Sequence, residues 1–371
     1  MNQEPLYPRL ILDTLAHVRY PGNGKNIVEL GMVSGDDLRI DGRHVTIALH
    51  FEKPTDPFAA SLVKSVEGAL KAYIGPDVEA TVNPVFPAMA EKAKEAPVLP
   101  GVENIVAISS GKGGVGKSTV AANLAVALAR EGYRVGLLDA DIFGPSLPKM
   151  FGIEDEAVYM VEKPDGRRLI EPIVRYGVKT LSIGFLVNKE SAVLWRGSMA
   201  SNALKQLITE ADWGELDYFL LDLPPGTSDI HLTVVQTLPL TGAVVVTTPQ
   251  QVALADARKG IAMFQEEKIG VPVLGVVENM AWFTPESHPD ERYYIFGREG
   301  GVELARKLGL RLLGQVPLVG SIAESGDAGE PIAARDTVAG MAFIHAAREL
   351  TDAVAERKST LPPTKVVEMK K

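Results

Sequence analysis

The run SSGKGGVGKST at residues 109–119 constrains the chain more than any other stretch. Gly111, Gly116, Lys117 and Ser118 satisfy the pattern G-x-x-x-x-G-K-[ST]. Before it stands the apolar run NIVAIS. After it Val120, Leu124, Ala127 and Leu128 share one helical face, and Gly132 can end that helix. A strand, a glycine loop and a helix in this order form a phosphate cradle. The glycines let backbone N–H groups approach phosphate oxygens, the helix N-terminus adds partial positive charge, Lys117 reaches the outer phosphates, and Ser118 can ligate Mg²⁺. Gly111, Lys112, Gly113, Gly114, Val115, Gly116, Lys117, Ser118 and Thr119 are therefore assigned to nucleotide binding.

Further along, YRVGLLDAD, YFLLDLPP, GAVVVTTP and PVLGVVEN are short apolar runs separated by amphipathic segments. Such runs read as strands buried on both faces and joined by helical crossovers, which predicts an α/β fold: a doubly wound, mainly parallel sheet with ligands at the strands' carboxyl ends. Asp139 and Asp141 close one of these runs and Asp222 closes another. Carboxylates so placed can hold Mg²⁺ or orient a water for phosphoryl transfer. We expect Asp139 and Asp222, with Ser118, in the metal shell and Asp141 at the attacking water; capping of a helix or turn is the alternative for these aspartates. The PPGTSD that follows Asp222 reads as a loop able to sense a γ-phosphate.

The first 87 residues have a different pattern and read as a separate small α/β domain. Leu10, Leu12, Leu15 and Val18 mark a short helix, Val45, Ile47, Leu49 and Phe51 alternate in a strand reached through the turn IDGR, and VEATVNPVF is a last strand. Between those strands Phe58, Leu62, Val66 and Leu70 recur at helical spacing, from a cap at Asp56 to Gly75. Residues 88–100 are charged and then proline-punctuated, as a linker is, so the second domain is expected over 101–357 and a flexible tail over 358–371. A net charge of −9 disfavours nucleic acid and anionic membranes as partners. No stretch has the ~20 apolar residues of a membrane span, and the first ten residues lack the pattern of a secretory signal, so a cytoplasmic location is expected. Cysteine is absent, which removes disulfides, thiolate nucleophiles and thiolate metal ligands together.

Lys112, five residues before Lys117, is the second cation of the loop. GKGGVGKST resembles the deviant Walker A loop of the MinD, ParA and nitrogenase iron protein class, in which that lysine reaches across a dimer onto the partner's nucleotide. The resemblance implies an ATP-hydrolysing homodimer with Lys112, Lys117 and Asp141 as catalytic residues; a solvated lysine on a mobile loop is the plainer alternative. Residues 98–119, 137–152 and 195–236, together with ENMAWF and YYIFG, are similar to the Mrp/ApbC family of P-loop ATPases, linked to iron–sulfur cluster assembly and delivery. KNIVELGMV and the strand after it resemble the SufT-like iron–sulfur assembly domain often fused ahead of Mrp proteins. The resemblance further implies Asn279 as an adenine contact, where a turn-forming asparagine is the alternative, and iron–sulfur clients or scaffolds as partners.

Two departures bear on the cluster. The family's Cys-x-x-Cys pair would fall in residues 281–295, which here read AWFTPESHPDERYYI, and the small domain's usual Cys-Pro is Asp56-Pro57. The family's acidic loop ahead of the IVELG stretch is likewise replaced, by YPGNGKN. Glu286, His288, Asp290 and Glu291 can bind metal but are poor substitutes for a thiolate shell; the plainer view is a solvated loop. A cluster-free positioning or scaffolding ATPase is the alternative function, and a metabolic kinase a third.

Overall fold

The computed structural model describes residues 5–21, 23–53, 56–87, 98–142, 144–186, 197–285, 287–288 and 290–367. The chain divides into two compact units, Met1–Glu95 and Ala96–Lys371. The expected linker lies largely outside the described residues.

In the first unit α1 (Pro8–Leu15), β1 (Leu38–Asp41), β2 (His44–His50), α2 (Ala59–Tyr73) and β3 (Glu79–Val85) follow in order. The sheet order is β1-β2-β3, with β1 antiparallel and β3 parallel to β2. Val45, Ile47 and Leu49 alternate inward and meet Leu62, Val66 and Leu70 of α2 and Ile11 and Leu15 of α1, because strand period 2 and helix period 3.6 each gather apolar residues on one side. The N-cap position of α2 belongs to Phe58 rather than Asp56. Asp56 accepts the Phe58 N–H at 2.8 Å and the Tyr20 hydroxyl at 2.7 Å, so it orders the approach to the helix instead of its first turn.

The second unit contains β4 (Ile105–Ser109), α3 (Lys117–Arg130), β5 (Val135–Asp139), α4 (Leu147–Met150), β6 (Met160–Glu162), β7 (Arg168–Ile170), β8 (Ile173–Arg175), β9 (Val178–Ser182) and α5 (Gly197–Thr209). It continues through β10 (Tyr218–Asp222), α6 (Asp229–Thr237), β11 (Gly242–Thr247), α7 (Gln251–Gln265), β12 (Val273–Glu278), α8 (Gly300–Leu308), β13 (Leu312–Gln315), α9 (Gly320–Asp327) and α10 (Val338–Thr360). The main sheet runs β13-β12-β11-β4-β10-β5-β9-β8, parallel throughout except for the antiparallel edge strand β8. This is the doubly wound sheet expected. All five expected apolar runs are strands, and every residue of β4, β5, β10 and β11 is buried, with separate apolar clusters covering the two faces. The sheet is wider than the apolar runs alone indicate. VKTLS and LLGQ form β9 and β13, where Lys179, Gly314 and Gln315 interrupt the hydrophobic signal.

After β4 the chain crosses to β5 on one side, and after β10 it returns to β11 on the other. The loops following β4, β5 and β10 therefore converge at a switch point at the carboxyl ends of the strands, where such sheets bind ligands. α10 continues to Thr360, and the buried Arg357 guanidinium donates to the carbonyls of Leu361 at 3.4 Å and Pro362 at 2.6 Å and to the Thr364 hydroxyl at 2.8 Å. The Val367 N–H then bonds to Val235 O at 3.0 Å. A buried guanidinium needs acceptors, and the backbone of the segment beyond the helix supplies them. Residues 368–371 lie outside the described residues. Among the described residues no helix is long and apolar enough to cross a membrane.

Candidate functional site

The phosphate loop joins β4 to α3. Its first glycine is set by packing: a Cβ on Gly111 would stand 2.1 Å from the Asp256 carbonyl group of α7. Gly116, the residue before α3, has φ +79°, and a Cβ there would meet the Asn279 side-chain nitrogen at 2.2 Å. Both positions require glycine, for a close approach and for a left-handed backbone. Lys117 opens α3 and is nearly buried. Its Nζ lies 2.5 Å from Asp222 Oδ1 and 4.0 Å from Asp141 Oδ2, and it donates to Ser118 Oγ at 3.2 Å.

Asp139 and Asp222 end β5 and β10 and stand opposite one another in the ladder. Both are fully buried. Burial and the neighbouring Asp222 push the Asp139 carboxyl up to about 7, against the pull of its hydrogen bonds. Asp222 is also raised, by burial working against Lys117. The side-chain partners of the three aspartates differ. Both Asp139 oxygens are engaged: Oδ1 by the Asp141 N–H at 3.1 Å, Oδ2 by the Ser182 hydroxyl at 2.9 Å and the Leu147 N–H at 3.3 Å. Of these aspartates' described oxygens, those buried without a partner are Asp222 Oδ2 and Asp141 Oδ1. Buried anionic oxygens left unpaired are costly, and here they lie around the lysine of a phosphate loop. A hard divalent cation with oxygen ligands fits this donor set, made of two carboxylates and the Ser118 hydroxyl.

The loop after Asp222 returns across the phosphate loop. Leu223 N–H bonds to Ile108 O at 3.0 Å and Gly226 N–H to Ser110 O at 2.8 Å. Lys112 is exposed, and among the described residues its ammonium has no carboxylate within ion-pair distance. Asn279 is buried; its Nδ2 donates to Val115 O at 2.8 Å and its N–H to Thr247 O at 2.8 Å. Beside it opens a cavity of about 360 Å³ lined by Thr119, Lys149, Met150, Leu318 and Ile322 among others. The cavity adjoins the phosphate loop and is mostly apolar, as a base pocket is.

Among the described residues of 281–295 no cluster of metal-ligating side chains comes together. Phe283 and Tyr293 exchange backbone hydrogen bonds at 2.8 and 2.9 Å, Leu318 N–H reaches Trp282 O at 2.7 Å, and the Arg292 guanidinium sits 4.2 Å from the centre of the Trp282 ring. His288 Nδ1 is 3.7 Å from Glu291. Among the described residues there is no group of three His, Cys, Asp or Glu able to hold a metal, and Glu286 lies outside them. The residues present do not fit an iron–sulfur cluster.

Three buried polar residues of the site carry weak signals or none in the sequence. Ser182 orients Asp139 and comes from a strand that periodicity does not reveal. Glu278, fully buried, accepts the Gly301 N–H at 2.6 Å and the Gln315 amide at 2.5 Å, joining β12 to α8 and β13. His231 caps α6 from its third position; a Ser followed three residues later by a polar side chain is the one signal available, and Glu or Gln is its usual form.

Fold and site together define a P-loop NTPase. A family model described as NUBPL iron-transfer P-loop NTPase matches residues 101–354, and one described as an iron-sulfur cluster assembly protein matches residues 9–82. The chain belongs to this family of iron-transfer P-loop NTPases, as the motifs imply. An iron-sulfur cluster carrier protein of Synechocystis is 45% identical over 323 residues, spanning 87% of this chain and 90% of that one. The protein of the same description from Salmonella typhimurium is 44% identical over 352 residues, 93% and 91% of the two chains. Among solved structures, a nucleotide-binding protein of Archaeoglobus fulgidus in complex with ADP aligns with a TM-score of 0.57 at 38% identity, covering 67% of this chain and 94% of its own.

Proposed function

We propose that this chain is a Mg²⁺-dependent ATPase acting in the cytoplasm as a homodimer that closes across its nucleotides, and that it serves iron–sulfur cluster transfer to client proteins with thiolates supplied by those partners. The observation that carries the ATPase is the pairing of Lys117 with Asp222 beside two unpartnered carboxylate oxygens, Asp222 Oδ2 and Asp141 Oδ1. The names of the relatives support the cluster role, and the absence of cysteine supports cluster ligands that come from partners.

Backbone N–H groups of residues 111–116 and the Lys117 ammonium take the phosphates, and the cavity beside Asn279 takes the base. Triphosphate competes with Asp222 for Lys117. Ser118 and Asp222 would hold Mg²⁺, which would supply neutralisation of charge on the phosphate oxygens. Asp139, its own oxygens occupied, positions Asp141 through the Asp141 N–H, and Asp141 Oδ1 orients the attacking water. That water adds to the γ-phosphorus as the bond to the bridging oxygen breaks, giving ADP and phosphate. Lys112 supplies positive charge to the partner's γ-phosphate in the closed dimer. Loop 223–228, tied to the phosphate loop through Gly226, carries the γ-phosphate state outward.

The test is anaerobic incubation with iron and sulfide, followed by bound iron, visible absorption and ATP turnover, and then by maturation of an apo-client with a thiol-bearing cluster donor present. Expected are Mg²⁺-dependent turnover, no stable cluster on this chain alone, and ATP-dependent client maturation. Turnover without any effect on maturation replaces the cluster role by cluster-free positioning or scaffolding, which the thiol-free loop at 281–295 favours as the second reading. Absence of turnover overturns the ATPase.

A further inference from the structure

His231 is a buried imidazole that the mechanism above does not use. It is the third residue of α6, the helix that follows loop 223–228, and only 1% of it is exposed. Its Nδ1 accepts the backbone N–H of Ser228 at 3.2 Å and lies 3.3 Å from the Ser228 hydroxyl. Its Nε2 lies 3.5 Å from the hydroxyl of Ser109, the last residue of β4 and two residues before the phosphate-loop motif. A backbone N–H can only donate, so Nδ1 carries no proton and the single proton of the neutral ring sits on Nε2, facing Ser109. Burial and the positive charge of Lys117 favour that neutral form.

The ring thus bridges the two ends of the phosphate machinery. Loop 223–228 is fastened to β4 and the phosphate loop near its start by Leu223 to Ile108, in its middle by Gly226 to Ser110, and at its end by Ser228 through His231 to Ser109. The last link is the longest and the one made by a side chain, and hydrogen bonds in a ligand-free site commonly tighten in the reacting complex. We propose that His231 is a positioning residue for hydrolysis: it latches the C-terminal end of loop 223–228 to β4, so that the loop closes on the γ-phosphate as one unit with the phosphate loop.

This inference rests on the ATPase reading above. The full-length chain and its His231→Ala variant are compared for kcat, KM for MgATP, Kd for MgADP, and amide exchange at Ser228. Loss of one bridging hydrogen bond should lower kcat by about tenfold while KM and Kd move less than about threefold, and should speed exchange at Ser228. His231→Gln keeps an acceptor for Ser228 N–H and a donor for Ser109, and should recover most of the turnover and the protection. A His231→Ala kcat near wild type, or a joint loss of turnover and nucleotide affinity that glutamine does not rescue, overturns the latch. Wild-type chain with no turnover would defeat the ATPase reading instead; exchange at Ser228 then decides the latch alone, and unchanged protection in His231→Ala overturns it.

Discussion

The phosphate site and the loop at residues 281–295 both leave the carboxyl ends of parallel strands, yet their polar groups are opposite in state. Around Lys117 three carboxylates are packed into a buried space, with two oxygens unpartnered and the Asp139 carboxyl raised to about 7. At 281–295 the backbone closes on itself through Phe283 and Tyr293, and the Arg292 cation is seated on Trp282. A site that folding leaves under electrostatic stress is one that a ligand completes; a loop that satisfies itself has no such demand. Among the described residues, unpartnered buried carboxylate oxygens stand beside Lys117, whereas the backbone around Phe283 and Tyr293 is paired with itself.

The sharpest way to separate the two regions is Lys112→Ala. Removing a charge delivered in trans to the transferring phosphoryl group should lower kcat by about 10³-fold, with nucleotide binding to a single chain little changed; steady-state turnover and equilibrium MgATP binding check this, and unaltered turnover removes Lys112 from the reaction. Next in size is the pH dependence of stability. The folded pKa of His231 is lowered from 6.5 to about 4, by burial first and then by Lys117. Between those values the unfolded chain binds the extra proton, so this residue's contribution to stability is present above pH 6.5 and lost as pH falls toward 4. The loss amounts to about 3 kcal/mol. Denaturant midpoints for wild type and His231→Gln should diverge across that window and run parallel above it.

Lys117→Ala should weaken MgADP binding by about 10- to 100-fold, the worth of a charged hydrogen bond, read by calorimetry. The smallest effect is expected in the self-satisfied loop. Arg292→Ala should cost about 0.5–1 kcal/mol from the lost stacking on Trp282, seen as a small drop in thermal midpoint, with bound iron and ATP turnover unchanged. A change in either activity would mean that the loop takes part in function after all.

The sequence by itself determined the phosphate-loop geometry and the fold class. Gly111, Gly116, Lys117 and Ser118 act through a local strand-loop-helix geometry, and β4, β5, β10, β11 and β12 are buried on both faces, so their apolar runs are continuous. Short strands such as Leu312–Gln315 depend on their neighbours for burial and leave little pattern. Only the tertiary structure decided which aspartate oxygens are occupied, because the donors that engage Asp139 include Ser182, 43 residues away in the chain. It also decided that Lys117 pairs with Asp222, 105 residues away, and that His231 reaches Ser109 across 122 residues. Hydrogen-bond partnership and desolvation are set by what packs alongside a group, and spacing along the chain carries no record of either.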